Sequence, residues 1–532
     1  MNVRLRRERE GSGGTFARGH AFVDGEYLDT AALEDRLEGM TSEADFHSFA
    51  SSLYGYFSLV LDLEEQICAA VDHCRSRPLF YTTDPVRIGD TSQAVVGAVD
   101  PSEYDPVSER EFLTASYVTG SETLHPDLEQ LEAGTSVTLS ESGATVRSYS
   151  EYYPAPQQYT KRDALEALDE VMDDVSQRVI EAADGSQICV SLSGGHDSRL
   201  MLCSLLKQGY DDVIALTFGR EGDVDPVMAQ EIASNLGVEC VFVEYGSNTW
   251  TDLYGSDLWN EYYDRAFNLD SIPGLQVLPA LEAVAADPRV EDDAFFVSGQ
   301  TIGGVGSHLP PTPSSRDELI DYIYDEHYSI WPSSATLSSL LKERISNRLP
   351  NRSTNWTSEY AHWEQRERQS KYLYQDGIAY DLFGYDFWYP MADRQLVEFF
   401  ETLPEEYRRD KSLIEAYSSA LYGSLADIDS EDASRSDSEW SITRKVRNTV
   451  KNSPLRPYAQ VLYRTYLQNP DRGDTGPLAM YALLADGQYS MHSTGNETNH
   501  SFRAAEAVGR LDFSDPDSHR MPTDSIIRAP FE

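Results

Sequence analysis

One run concentrates the polar groups that chemistry would need: Val190-Ser191-Leu192-Ser193-Gly194-Gly195-His196-Asp197-Ser198-Arg199. The glycines let a ligand approach the backbone N–H groups closely, and Ser193 and Ser198 add hydroxyl donors. Open amides at a helix N-terminus, reinforced by the helix dipole, favour an anion. Asp197 is out of place in a purely anion-binding turn and makes sense if a Mg²⁺ bridges it to phosphates. The elements that must position these groups are legible on either side. Ile188-Cys189-Val190-Ser191-Leu192 is short, apolar and β-prone, which predicts a buried strand. Leu200, Met201, Leu202, Leu205 and Leu206 predict a helix after the turn.

No Gly-Lys-Ser/Thr follows the glycines, so this is not the Walker form. Ser193-Gly194-Gly195-x-Asp197-Ser198 resembles the PP-loop, Ser-Gly-Gly-x-Asp-Ser, of the ATP pyrophosphatase superfamily. The resemblance implies a loop that grips the pyrophosphate released when ATP adenylates a carboxylate or carbonyl. Leu192, Ser193, Gly194, Gly195, Asp197 and Ser198 would then bind ATP and pyrophosphate, with Asp197 on Mg²⁺. An ordinary glycine turn before a helix is the plainer account of Gly-Gly alone. It leaves the aspartate and both serines unexplained.

Strand-length runs at Val213–Phe218, Cys240–Glu244 and Phe295–Ser298 alternate with helical stretches. This βαβ rhythm predicts a doubly wound parallel sheet, whose ligands bind beyond the carboxyl ends of the strands. The resemblance puts Phe218 beside the adenine. Asp225 with Ala229 and Ala233 reads as a capped helix and is similar to the helix that follows in the family. Val297-Ser298-Gly299-Gln300-Thr301-Ile302-Gly303-Gly304 is similar to the Ser-Gly-x-Gly-x-Asp-Glu segment of asparagine synthetases. Ser298 and Gly299 match as nucleotide-binding residues. The acidic pair falls on Gly303 and Gly304, so a metal ligand of the relatives is missing.

Gly384 to Phe399 resembles the synthetase segment Glu-x-Arg-x-Pro-Phe-Leu-Asp-x-x-Leu-Val-Glu, with Pro390, Asp393, Leu396, Val397 and Glu398 in register. Leu403-Pro404 and Lys411 follow as they do in that family. The resemblance implies that Lys411 reaches the α-phosphate, where fixed positive charge stabilises charge gathered in an adenylating transition state. Asp386 stands where the family has Glu, a position that serves an acid–base dyad in β-lactam synthetase-like relatives. Lys411 and Asp386 are therefore the catalytic candidates.

Residues 1–150 read as a β-rich domain. Leu53 to Leu61, Ile67 to Val71 and Pro78 to Tyr81 are strand-like, divided by turns. Gly55-Tyr56-Phe57 and the run Val71 to Tyr81 resemble the N-terminal glutaminase domain of asparagine synthetases, an Ntn-hydrolase-type α+β sandwich. That glutaminase uses a cysteine exposed as the first residue after Met removal, activated by its own α-amine. Here position two is Asn2, and Cys68 lies inside a predicted strand. We expect an inactive glutaminase retained as a scaffold. The linker is read at Tyr152 to Tyr159, with Pro154 and Pro156, and an amphipathic helix follows with Leu165, Leu168, Val171, Met172, Val175 and Val179 at helical spacing.

Composition bounds the function. Lys+Arg total 43 against Asp+Glu 89, a net charge of −46, and only seven of the basic residues are lysine. Such a surface suits a very salty cytoplasm, where self-repulsion is screened, and is not drawn to nucleic acid or anionic membranes. Disorder is excluded by 40% apolar and 11% aromatic content. Five cysteines without CxxC spacing indicate neither a disulfide framework nor zinc. No apolar run reaches membrane-spanning length, and Met1 to Arg7 lacks the apolar core of a signal peptide. A cytoplasmic protein is expected.

The fold expectation is α/β: residues 1–150 a degenerate glutaminase-like sandwich, 151–425 a Rossmann-like PP-loop domain with a helical C-terminal part, and 426–532 a helical or loop extension. His327, Tyr328 and Trp331 are read as packing residues. Arg444, Lys445, Arg447, Lys451, Arg456 and Arg464 form a basic island read as a solvated helix. The activity implied is formation of an amide by an asparagine synthetase-type ligase. ATP adenylates a small carboxylate, and ammonia or an amine captures it. A homodimer is compatible with this reading. The competing reading is a non-catalytic ATP-binding scaffold of the same fold. Sulfur-transfer and NAD synthetase-like PP-loop enzymes fit less well, since the former needs paired cysteines and the latter leaves the N-terminal domain unexplained.

Overall fold

A computed structural model describes residues 2–4 and 14–428 except 247, 303, 304, 306–308, 311, 312, 329, 331, 332, 353 and 354, together with Val508. The Gly303/Gly304 substitution, Trp331, the basic island and nearly all of the 426–532 extension lie outside the described residues.

The N-terminal strands are β1 Asn2–Arg4, β2 Thr15–Val23, β3 Glu26–Leu28, β4 Tyr54–Leu63, β5 Gln66–Val71, β6 Phe80–Thr83, β7 Val86–Gly89, β8 Glu129–Gln130, β9 Thr135–Ser140 and β10 Gly143–Ser148. They form two sheets, ordered β1-β7-β6-β8 and β10-β9-β5-β4-β2-β3. Strand β4 reads as a continuous apolar run because both of its faces are covered. Phe57, Leu59 and Leu61 face the helices α1 Thr30–Glu38 and α2 Glu43–Ser52, against Leu33, Leu37 and Phe46. Val60 faces the other way, into the layer between the sheets with Leu79, Tyr81 and Ile88. Asp29 and Ser42 cap α1 and α2 through the amides of Ala32 and Asp45. The short α3 Ser92–Val96 and α4 Pro106–Ala115 complete this half, with Val95 and Phe112 packed in the same core as Phe80. The result is two mostly antiparallel sheets packed together with helices alongside, a layered mix of strands and helices as the α+β expectation required.

Residues 149–160 carry no regular structure, and α5 Lys161–Ala183 then opens the second half, capped by Thr160. Its buried stripe is Leu168, Met172, Val175 and Val179. Strands β11 Ile188–Ser191, β12 Val213–Gly219, β13 Glu239–Glu244, β14 Phe295–Val297 and β15 Phe387–Trp388 make a parallel sheet ordered β13-β12-β11-β14-β15. Between β11 and β12 runs α6 His196–Lys207, and between β12 and β13 runs α7 Val224–Asn235. The sheet grows from β11 first towards β12 and later towards β14, which makes the carboxyl end of β11 the switch point. The fifth strand, β15, was not anticipated. It is two residues long, too short to leave a periodic signal.

The two halves share one continuous core, since Tyr56, Phe80 and Phe22 cluster with Trp388, Val190 and Leu216. His20 stacks on Trp388 at 5.2 Å, and the Tyr56 hydroxyl donates to the Tyr389 carbonyl at 2.6 Å. Buried ion pairs cross the same junction, including Arg75 with Asp270 at 2.8 Å. Helix Trp356–Trp363 continues into a π-helical stretch, Glu364–Leu373, that supplies Glu367 and Lys371 to it. His327 and Tyr328 pack as read, His327 on Tyr360 and Tyr328 buried beside Leu319 and Leu341. Among the described residues the last helix is Ser412–Ala426, which runs across the expected domain boundary at 425. Among the described residues no helix is long and apolar enough to cross a membrane.

Candidate functional site

The turn between β11 and α6 sits at the switch point because β11 ends at Ser191, buried between β12 and β14. Leu192 donates its N–H to the Leu216 carbonyl at 2.8 Å and buries its side chain, so only its backbone faces the turn. Gly195 is the N-cap of α6 and, having no side chain, supplies no cap bond to the helix. Three successive amides are held by side chains of the site itself. Ser193 N–H donates to Ser198 Oγ at 3.0 Å, Gly194 N–H to Asp225 Oδ1 at 3.1 Å, and Gly195 N–H to Ser193 Oγ at 3.2 Å. The two serine hydroxyls lie 3.1 Å apart. Arg199, fully buried, donates to the Gly194 carbonyl at 3.1 Å and lies over the Tyr422 ring.

Lys411 arrives here from 214 residues away and donates through Nζ to Asp197 Oδ2. It is the N-cap of helix Ser412–Ala426, and both Asp410 and Lys411 adopt left-handed backbone, φ 54° and 57°. Left-handed geometry costs an ordinary residue roughly 1–2 kcal/mol, and such strain gathers where a side chain must be aimed. Helix Ser412–Ala426 packs along α6, and Ser418 Oγ donates to the His196 carbonyl at 3.2 Å. Asp197 Oδ1 is buried and has no hydrogen-bond partner. A buried carboxylate oxygen with nothing to accept is the donor a hard cation seeks, so Asp197 fits a Mg²⁺ ligand.

Ser298 and Gly299 form the facing wall. A Cβ on Gly299 would lie 3.2 Å from Ser198 N, so this glycine is what lets the two loops touch. Ser298 Oγ bonds Gln300 Oε1, and Gln300 Nε2 donates to Asp376 Oδ2 at 2.7 Å. Tyr380 reaches the same place, 3.4 Å from Ser191 Oγ, and burial pushes its hydroxyl pKa up, with Asp376 adding to the rise. Phe218, at the end of β12, stacks on Tyr245 at 5.2 Å beside the turn.

Asp386 is not brought to the turn. It precedes β15 and therefore lies at the opposite end of the parallel strands from the turn. Its carboxylate is 64% exposed and sits 3.8 Å from both His20 Nδ1 and Arg77 Nη2, facing the N-terminal half. The physical reason is direction. In a parallel sheet the residue before a strand lies at the amino end of the strands and the residue after it at the carboxyl end. Asp225 is a correction of detail. The N-cap of α7 is Asp223, and Asp225 in the first turn reaches Gly194 instead. Sequence reading missed Arg199, Gln300 and Asp376. The first two adjoin motifs already singled out, while Asp376 carries no local signal.

The cysteines offer no alternative nucleophile. All five are free, and burial pushes the thiols up, Cys68 and Cys240 to about 11 and Cys203 to about 12. Asp72, His73 and Cys74 lie close enough to hold a metal, but Asp72 already accepts from the amides of Phe57, Cys74 and Ser76 and from Ser76 Oγ. That carboxylate organises its own turn.

No protein-family model matches the chain, and no curated protein matches it. Among solved structures, the glutamine phosphoribosylpyrophosphate amidotransferase from B. subtilis, complexed with ADP and GMP, is similar over 66% of this chain and 76% of its own, at 10% identity and a TM-score of 0.17. A structure described as the allosteric regulatory enzyme of purine biosynthesis is similar over 65% and 74%, at 10% identity and a TM-score of 0.18. At those scores the likeness carries no weight for the fold or activity of this chain.

Proposed function

We propose that the chain is an ATP-dependent ligase of asparagine synthetase type, which joins a small carboxylate to ammonia or an amine. The observation that carries the reading is the meeting of Lys411 with Asp197 at the glycine turn. A cation and a carboxylate with an unused oxygen, at the N-terminus of a helix, are what a polyphosphate and its metal require.

In this reading Ser193, Gly194, Gly195 and Ser198 hold the β- and γ-phosphates, and Ser298 and Gly299 close the far side. The acceptor carboxylate attacks the α-phosphorus as the bond to pyrophosphate breaks. Nitrogen then attacks the acyl carbon, and AMP leaves. Mg²⁺ bound at Asp197 supplies charge neutralisation for the phosphates. Lys411, released from Asp197, turns to the α-phosphate oxygens, where negative charge gathers. Phe218 lines the adenine side. In this reading nitrogen comes from free ammonia or an amine, since four of the five cysteines are buried and Cys240 is half-buried.

The test is ATP–pyrophosphate exchange in high salt with Mg²⁺, screening aspartate and other carboxylates. Exchange with one acid, reduced by about 10²-fold or more in Asp197→Ala and Lys411→Met, is the expected outcome. Exchange that survives both substitutions overturns the assignment of the site. A second reading, the non-catalytic ATP-binding scaffold, is favoured by one observation: the turn amides and Asp197 are already occupied by partners within the chain. ATP binding without exchange for any acid would select it.

A further inference from the structure

The amides of Ser193, Gly194 and Gly195 differ in what occupies them. Two are held by hydroxyls, Ser198 Oγ and Ser193 Oγ. A hydroxyl both donates and accepts, so it can rotate and donate to an incoming phosphate oxygen. The middle one, Gly194 N–H, is held by the carboxylate of Asp225, which accepts only. The contact is built in. A Cβ on Gly194 would lie 2.9 Å from Asp225 Oδ1 and 3.1 Å from Met228 Cβ, so the first turn of α7 rests directly on this glycine. Asp225 is exposed, so the carboxylate stands between solvent and the turn rather than filling a core.

We infer that Asp225 is a specificity determinant. It is a carboxylate stand-in for phosphate that makes the turn admit metal-bound polyphosphate and reject the metal-free form. The inference rests on the reading of the turn as a phosphate site. A free polyphosphate must displace one anion and then lie beside both Asp225 and Asp197. At contact distance that repulsion is not removed by salt, since few ions fit between the groups. With Mg²⁺ on the phosphates the incoming charge falls, and the exposed Asp225 carboxylate can turn to water and release Gly194 N–H to a phosphate oxygen without opposing the ligand.

The experiment is calorimetric titration of the full-length protein with ATP and with inorganic pyrophosphate, in high salt, with Mg²⁺ or with EDTA. Wild type, Asp225→Asn, Asp225→Ala and the control Asp223→Asn are compared. Asp223 lies on the same helix end and makes no side-chain cap bond. Asp225→Asn should raise metal-free pyrophosphate affinity at least about tenfold while Mg²⁺-bound affinities move less than about threefold. Asp225→Ala should do the same, and Asp223→Asn should change neither. An unchanged ratio between the two forms overturns the inference. So does an equal effect of Asp223→Asn, which would make the response one of general charge. Loss of Mg²⁺-bound affinity alone would make Asp225 a metal ligand, again overturning it. If wild type binds no Mg²⁺-ATP, the phosphate-site reading itself fails and the inference with it.

Discussion

Lys371 offers the sharpest test of how the two halves are held together. It is fully buried and donates to the carbonyls of Val118 at 2.9 Å and Gly120 at 2.7 Å, both in the N-terminal half. Its third bond is to Glu367 Oε2 at 2.7 Å. Glu367 also accepts from Gly120 N–H at 2.9 Å and Arg348 Nε at 2.7 Å. Removing one partner of a buried pair costs about 3–5 kcal/mol, because the other charge stays buried. Arg348 still faces Glu367 in Lys371→Met, so we expect the lower end, about 3 kcal/mol, with the two stranded carbonyls as the main loss. Lys342 is the comparison. It pairs with Asp321 at 2.7 Å but is 35% exposed, and Lys342→Met should cost about 0–1 kcal/mol. The assay is urea unfolding followed by tryptophan fluorescence, in moderate and high salt. Salt should shrink the Lys342 effect and leave the Lys371 effect standing. A Lys371→Met cost within about 1 kcal/mol of Lys342→Met would refute the buried-pair argument.

Two other perturbations follow from the geometry. His362 is buried and bonded to the Tyr152 carbonyl, and burial, with Arg366 nearby, lowers its pKa from 6.5 to about 4. A base depressed in the folded state is protonated more readily when unfolded, so stability is lost as pH falls from 6.5 towards 4. By pH 5 the loss should be about 2 kcal/mol, and unfolding curves of His362→Gln should lack that part of the pH slope. Glu401, raised by burial to about 6, acts with the opposite sign, so the variant difference rather than the raw curve is decisive. Gly194→Ala would press a Cβ against Asp225 and Met228, costing about 1–3 kcal/mol of stability, and at a temperature where the variant is folded its nucleotide affinity should fall at least about tenfold; unchanged affinity would remove the turn from the site.

Local structure was written in the chain wherever the cause is local. The strand–turn–helix around Gly194 follows from an apolar run, two glycines and a leucine stripe, and the strand expectations at Val213, Cys240 and Phe295 match the observed elements within a residue or two. The stripe on α5 was legible for the same reason, because period and burial are set by neighbours along the helix. What tertiary structure decided is which distant groups share a site. Lys411 meets Asp197 only because helix Ser412–Ala426 lies along α6, and its strained N-cap aims the side chain. Asp376 accepts from Gln300 at the end of a short 3-10 turn, Tyr374–Asp376, that nothing in its own segment announces. Asp386 went the other way: motif register put it in the site, while strand direction carried it to the amino end of the strands, away from the turn. Sequence spacing fixes side-chain position along one element. The end of a sheet at which a residue emerges, and what it faces there, depend on how the elements pack.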